Sequence, residues 1–213
     1  MEKISIIIRN KNEAEYIGFA IQSCLDFFEK PQIIIMDNHS VDDSLEIVNL
    51  FSDRTEIIIE TIKDYTPGRA INRALNQCTN DLILVLSAHC QITKINIDYV
   101  KDSLKKYKAV FGKQIPIYRG KKISARYIWS HFTDNEQINM FSDIEKRYFF
   151  HNAFAFYQKK FLLDNPMPEE IPGKEDRFWA KAIVDLGYDY LYNPLMQVNH
   201  FYTSNGATWK GIG

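Results

Sequence analysis

Apolar residues along this chain fall into two kinds of run. Short blocks rich in Ile, Val and Leu occupy residues 4–8 (ISIII), 33–36 (IIIM), 56–60 (EIIIE) and 82–86 (LILVL). Blocks of this length and composition fit strands buried on both faces of a parallel sheet. Between them the apolar spacing becomes helical. Ile17, Ile21, Leu25 and Phe28 recur every three or four residues within 13–28, a second helix starts at Ser40 or Asp42, and a third covers 69–77. The alternation predicts an α/β fold with a mostly parallel sheet flanked by helices, and such sheets receive ligands outside the carboxyl ends of their strands. Segments 10–13, 37–42, 65–72 and 87–90 therefore lie at the predicted ligand edge.

The second half is patterned differently. Strands are expected over 110–116, 152–157, 188–192 and 197–201, and a helix over 175–186 closed by Gly187. Residues 118–150 are polar and aromatic without an assignable period, a loop or small helices; 165–173 reads as a Pro-containing loop and 203–213 as irregular. No repeat and no Gly/Ser- or Pro-rich linker divides the chain. One domain over 1–213 is expected, with 1–115 and 116–213 as its halves.

Composition narrows the function classes. A chain of 213 residues that is 46 % hydrophobic can bury one sizeable core. Lys+Arg 26 against Asp+Glu 27, a formal net charge of −1, gives no electrostatic footprint for nucleic acid or for an anionic membrane. The opening apolar run is too short to span a bilayer, so a cytoplasmic address is expected. Cys24, Cys78 and Cys90 form no CxxC pair, which suits a reducing compartment and argues against structural zinc.

Four places can carry chemistry. Asp37 ends the second strand, where its carboxylate either caps the next helix or accepts hydrogen bonds from a ribose or base. Ser87, Ala88 and His89 end the fourth; His89 is either a hydrogen-bonded structural residue or a ligand for a divalent metal or a diphosphate oxygen. Glu175 and Asp176 open a helix, where they complement its dipole or one acts as general base toward a hydroxyl, with a pKa held down by that dipole. His200 ends the last strand and, with His89, completes a metal site if the two meet. Tyr202, Trp129, Trp179 and Trp209 are candidates for stacking on sugar faces, or for the core.

Taken in order, IIIRNKNEAEYI, IIIMDNHSVDDS, TPGRAINRALNQCTNDLILVLSAHC, GKQIP, HNAFAFY, GKEDRFWAKAIVDLGYDYLYNP and VNH resemble the family-two glycosyltransferases of bacterial polysaccharide assembly, in particular a rhamnosyltransferase-like branch. The resemblance implies a GT-A fold that binds a nucleoside-diphosphate sugar in 1–115 and an acceptor in 116–213. It implies that Asn10 and Glu13 lie at the nucleotide, that Asp37 contacts base or ribose, and that Gly68, Arg69 and Asn72 flank the nucleotide or its diphosphate. Asp176 becomes the catalytic base, Glu175 orients the base or the acceptor, and Asn152 lies beside the sugar or acceptor. Transfer is then inverting, onto a saccharide or lipid-linked saccharide, with peripheral association at the inner membrane face as an analogy.

Two departures from the family pattern stand out. Ser87, Ala88 and His89 occupy the place of Asp-x-Asp, so a divalent cation, if used, is held by His89 and His200 and is manganese rather than magnesium. Ile71 stands where relatives carry Arg, leaving Arg69 to supply charge. Two other classes were weighed. A sugar nucleotidyltransferase needs a Gly-rich phosphate loop that RNKNEAEY lacks, and a catalytically silent saccharide-binding scaffold has no need of Glu175, Asp176 and His200.

Overall fold

The four Ile- and Leu-rich runs are strands β1 (Ile4–Asn10), β2 (Gln32–Asp37), β3 (Ile57–Thr61) and β4 (Leu82–Ser87) in the computed structural model, which describes residues 3–123, 127–171, 173–204 and 206. They pair in parallel in the order β3-β2-β1-β4. Helices α1 (Ile17–Phe27), α2 (Ser44–Asn49) and α3 (Pro67–Leu75) connect them. The first helix begins later than its apolar spacing suggests because Glu13 O accepts hydrogen bonds from Tyr16 N and Ile17 N, forming a turn first. Thr66 caps α3 by accepting Arg69 N at 3.1 Å, and Pro67 in the first turn gives up an N–H that has no helical partner.

Alternation along β1 divides the core between the two faces of the sheet. Ile7 packs with Ile34, Ile83, Phe111, Trp179 and Ile183 on one face. Ile6 and Ile8 pack with Ile17, Ile21 and Val100 on the other. Arg9 follows Ile7 at a spacing of two and so shares its face.

Three elements escaped the sequence reading. Strand β5 (Cys90–Lys94) follows β4 almost at once, and α4 (Ile97–Lys106) is capped by the Asn96 side chain, which accepts Tyr99 N at 3.1 Å. Strand β6 (Ala109–Tyr118) comes next. Residues 118–150 hold short pieces: β7 (Lys121–Lys122), α5 (Tyr127–Ser130), β8 (Gln137–Ile138) and a hairpin of β9 (Phe141–Ser142) with β10 (Arg147–Tyr148). Strand β11 (Phe154–Gln158) inserts antiparallel between β4 and β6, and α6 (Lys159–Asp164), the third element missed, follows it. Helix α7 (Glu175–Asp185) is closed by Gly187 at φ +83°, with Tyr188 N donating to Ile183 O at 3.0 Å.

The last two expected strands are one, β12 (Leu191–Phe201). Its register against β6 shifts between Asn193 and Gln197, where Pro194 has no N–H to give to a ladder. Residues 188–190 lie outside it. The full order is β3-β2-β1-β4-β11-β6-β12-β5, a mixed sheet that is mostly parallel. This order places the end of β12 beside β5: His200 pairs with Cys90, and Phe201 N donates to His89 O at 2.9 Å. Among the described residues, no helix is long and apolar enough to cross a membrane.

Candidate active site

The carboxyl ends of β1, β2 and β4 meet at one edge. Asn10 and Asp37 are register partners, both buried, and Asn10 Nδ2 donates to Asp37 Oδ1 at 2.9 Å and to Ser40 Oγ at 3.0 Å. The Asp37 carboxylate also accepts Ser40 N at 3.0 Å and Ser40 Oγ at 2.6 Å. It thus ties the β2 turn to the β1 turn, and Ser40, within the expected ligand edge 37–42, is the third member of the knot. Glu13, buried, is held by its N–H to Ser44 Oγ at 2.9 Å, and its carboxylate lies 3.1 Å from His89 Nδ1.

His89 and His200 do meet. Their ring centroids are 4.8 Å apart with 28° between the planes, and His200 Nδ1 lies 2.7 Å from Gln114 Oε1. Burial holds His200 well below the ordinary imidazole range, with the His89 and His151 rings adding to the effect, so it is a neutral imidazole. Ser87 ends β4 opposite Arg9, its N–H donating to Ala153 O at 3.1 Å. Glu13 and Gln114 anchor Nδ1 of the two rings, the kind of anchoring that orients a metal-binding imidazole. Among the described residues, no three His, Cys, Asp or Glu side chains gather to hold an ion. The pair fits part of a metal site, not a whole one.

Helix α7 delivers the two carboxylates differently. Glu175 is buried and takes a 2.6 Å ion pair from Arg9, a partner 166 residues away that no sequence signal announced. Asp176 is half-buried; its Oδ2 accepts Asn152 N at 3.4 Å and its Oδ1 accepts Arg177 N at 2.8 Å. The expectation that the helix dipole holds Asp176 down is corrected here. Burial pushes its carboxyl above the ordinary range, and Arg9 and Arg177, which pull the other way, do not restore it. A carboxylate so raised is a stronger base than one at a solvated helix end. Asn152 itself is buried, its side chain accepting the Tyr157 hydroxyl and touching Met167 Sδ at 3.8 Å, so that its backbone rather than its amide meets Asp176.

Gly68, Arg69 and Asn72 grip the loop that leads to α7. Asn72 holds both main-chain groups of Met167, donating to its O at 2.8 Å and accepting its N at 2.9 Å. Arg69 reaches Asp64 O at 2.7 Å, Glu169 at 3.3 Å and Glu170 at 2.9 Å, so its charge is already matched by two carboxylates. Ile71 is in the core. At Gly68 an added Cβ would lie 2.1 Å from Pro168 O. Gly68→Ala is therefore expected to push this loop away and to cost about 1–3 kcal/mol, read as a lowered Tm in thermal unfolding. Because the loop feeds Asp176, turnover should fall as well.

Trp129 and Trp179 do not offer faces to a sugar: both are buried in the core, where Trp179 Nε1 donates to Asn165 O at 2.8 Å. Tyr202 packs edge-on to Tyr118 at 4.8 Å. Trp209 lies outside the described residues.

A mixed, mostly parallel sheet flanked by helices is the GT-A fold of glycosyltransferases. Residues 5–164 match Glycosyl transferase family 2, and the chain belongs to that family. Glu175, Asp176 and His200 lie beyond the matched segment. The chain is 26 % identical over 178 residues, 79 % of its length, to the O-antigen chain rhamnosyltransferase WbaN of Salmonella anatum, of which this covers 56 %. It is 32 % identical over 94 residues, 44 % of its length and 31 % of the other's, to an uncharacterized glycosyltransferase of Rickettsia felis. It thus spans about half or less of these relatives. Among solved structures it resembles S. aureus TarS 1-349 in complex with UDP-GlcNAc (TM-score 0.69, 18 % identity, covering 99 % of this chain and 62 % of that one). It also resembles the mannosyltransferase PcManGT of Pyrobaculum calidifontis in complex with GDP-Man and Mn2+ (TM-score 0.66, 17 % identity, covering 95 % and 58 %).

Proposed function

We propose that this protein is an inverting, sugar-nucleotide-dependent glycosyltransferase that moves a hexosyl group onto a saccharide acceptor in surface polysaccharide assembly. The observation that carries the reading is Asp176: a half-buried carboxylate, raised by burial, fixed by two backbone N–H groups and placed on the helix that faces the ligand edge of the sheet. Residues 1–115 bind the donor. Asn10, Glu13, Asp37 and Ser87 shape the nucleotide side of the edge, and Gly68, Arg69 and Asn72 hold the loop before α7 against it. In 116–213, Asp176 takes the proton of the acceptor hydroxyl as that oxygen attacks the anomeric carbon from the face opposite the leaving diphosphate. Displacement in one step inverts the centre and requires no carboxylate nucleophile. Glu175 anchors the helix start through Arg9, and Asn152 presents its backbone N–H to the base.

His89 and His200 are the residues that would hold a divalent cation, with manganese favoured over magnesium because the protein's donors are imidazoles. Such an ion, when bound, offsets charge on the diphosphate. The name of WbaN, an O-antigen chain rhamnosyltransferase, supports a saccharide acceptor; in this reading the acceptor includes lipid-linked saccharides, met at the inner face of the cell membrane by a cytoplasmic protein.

Calorimetric titration with UDP, GDP, dTDP and CMP, in manganese and again in chelator, tests the donor site. One nucleotide should bind, more tightly with manganese, and His89→Ala should abolish the manganese effect. Binding of none of the four would sink the reading.

A further inference from the structure

Beside Asp176 lies a charged cluster that has no part in the mechanism above. The β9–β10 hairpin carries Glu145 and Arg147, and β10 packs against α7. Glu145 takes an ion pair from Arg147 on its own hairpin and a second, at 3.6 Å, from Arg177 of α7. All three side chains are largely buried, at 17 %, 21 % and 29 % exposure respectively. Glu145 is itself fixed: its N–H donates to Ser142 Oγ at 3.1 Å, and that hydroxyl lies 2.7 Å from His131 Nε2. Arg147 Nη1 reaches Tyr148 O at 2.9 Å and its guanidinium lies over the Phe149 ring at 5.7 Å. Two guanidiniums thus share one carboxylate, next to a residue that needs a proton-accepting oxygen.

Resting on the reading of Asp176 as the base, we propose that Glu145 is a positioning residue for it: by engaging Arg177 and Arg147, Glu145 keeps both guanidiniums from pairing with the Asp176 carboxylate. The physical reason is competition. Arg177 follows Asp176 directly in the helix, and a guanidinium forks onto a carboxylate through two parallel N–H bonds. An Asp176 locked in such a fork presents neither oxygen to an acceptor hydroxyl. The other groups around Asp176 are fixed elsewhere. Arg9 of β1 is committed to Glu175, Asn152 contributes only its N–H, and Tyr157, buried, and His151 and Tyr65, half-buried, are held neutral by desolvation. Arg177 is the cation with a choice of partner, and Glu145 settles it.

The variant Glu145→Gln keeps the shape and removes the charge. Two readouts follow in parallel. In kcat/KM against pH, measured as donor hydrolysis or transfer, the acid limb should move down by about 0.5 units or more, roughly threefold in the protonation constant. Separately, the Tm difference between proteins with Asp and with Asn at position 176 is followed against pH, with and without Glu145→Gln; the difference vanishes below the unfolded-state value in both, but the pH at which it levels off should fall by a similar amount and its plateau should shrink. Glu145→Asp, which keeps the charge, should return both toward the parent. An acid limb and a plateau that stay in place in Glu145→Gln would overturn the proposal, even if turnover fell. The Tm arm needs no turnover, so a protein that hydrolyses and transfers nothing removes Asp176 from the role of base while the positioning is still decided. Should Glu145→Gln not fold, Glu145→Ala, which also removes the charge, carries the same two measurements with the same expected shifts.

Discussion

Asp176→Asn should lower transfer or donor hydrolysis by about 10²–10⁴-fold, the range a positioned general base contributes, while donor affinity stays within a few fold. The substitution preserves shape and leaves one side-chain oxygen to accept the N–H of Asn152 or Arg177, so donor contacts on β1, β2 and β4 are not disturbed. The same change should raise stability. A carboxyl whose folded-state pKa is raised by burial favours its protonated form; its contribution is fully present below the unfolded value of about 3.9 and is lost as pH rises through the folded value. As pH rises through the folded value, the parent takes on the cost of a desolvated charge and the Asn variant does not. Thermal unfolding should therefore show a higher Tm for the variant at neutral pH, and no advantage below about pH 4. In the parent, activity should decline with falling pH at values above those of a solvated aspartate. A variant with near-normal turnover would remove Asp176 from the role, and a variant less stable at pH 7 would mean that its ion interactions outweigh its desolvation.

What the sequence disclosed followed the strength of its local signal. The strands β1, β2 and β4 were legible because each is an almost continuous apolar run buried on both faces, and β3 from its three isoleucines, although the structure leaves that strand only partly buried. Helix α7 was legible from Trp179 and Ile183 on one side and Gly187 at its end. The signal for α4 lies in Asn96 followed by Ile97, Val100 and Leu104, a cap and an apolar stripe close behind the short strand β5. The elements of 118–150 carry almost no periodic signal: strands of two residues bury nothing by themselves and exist because β6, β12 and α7 are already in place. The site divides in the same way. Asp37, His89, Asp176 and His200 stand at the ends of readable elements, which is why their types and positions could be named. Arg9, Gln114 and Glu145 sit in segments remote in the chain from the residues they meet, so that Gln114–His200 follows only from the sheet order, and Arg9–Glu175 and Glu145–Arg177 only from the packing of α7.

Arg9→Met should be the most destabilising of the single substitutions considered, by about 3–5 kcal/mol. Side-chain exposure is 15 % for Arg9 and 4 % for Glu175, and the 2.6 Å bond between them joins the central strand β1 to the first turn of α7. Truncating the cation leaves Glu175 buried without its counter-charge, and the carboxyl must then take up a proton or draw in water. Arg9→Met with Glu175→Gln removes both charges and should recover most of the loss, because a buried ion pair is worth little against neutral residues of similar size while half of one is costly. The pH dependence separates this pair from the Glu145 cluster. After burial, the Arg9 charge acts most strongly on Asp176 and draws its carboxyl down, so its loss moves the acid limb of activity upward, opposite to the shift expected from Glu145→Gln. Urea unfolding of the two variants alongside their pH–rate profiles checks both statements. If the double variant proves no more stable than Arg9→Met, the arginine contributes through packing of its stem against β1 and α7 rather than through its charge.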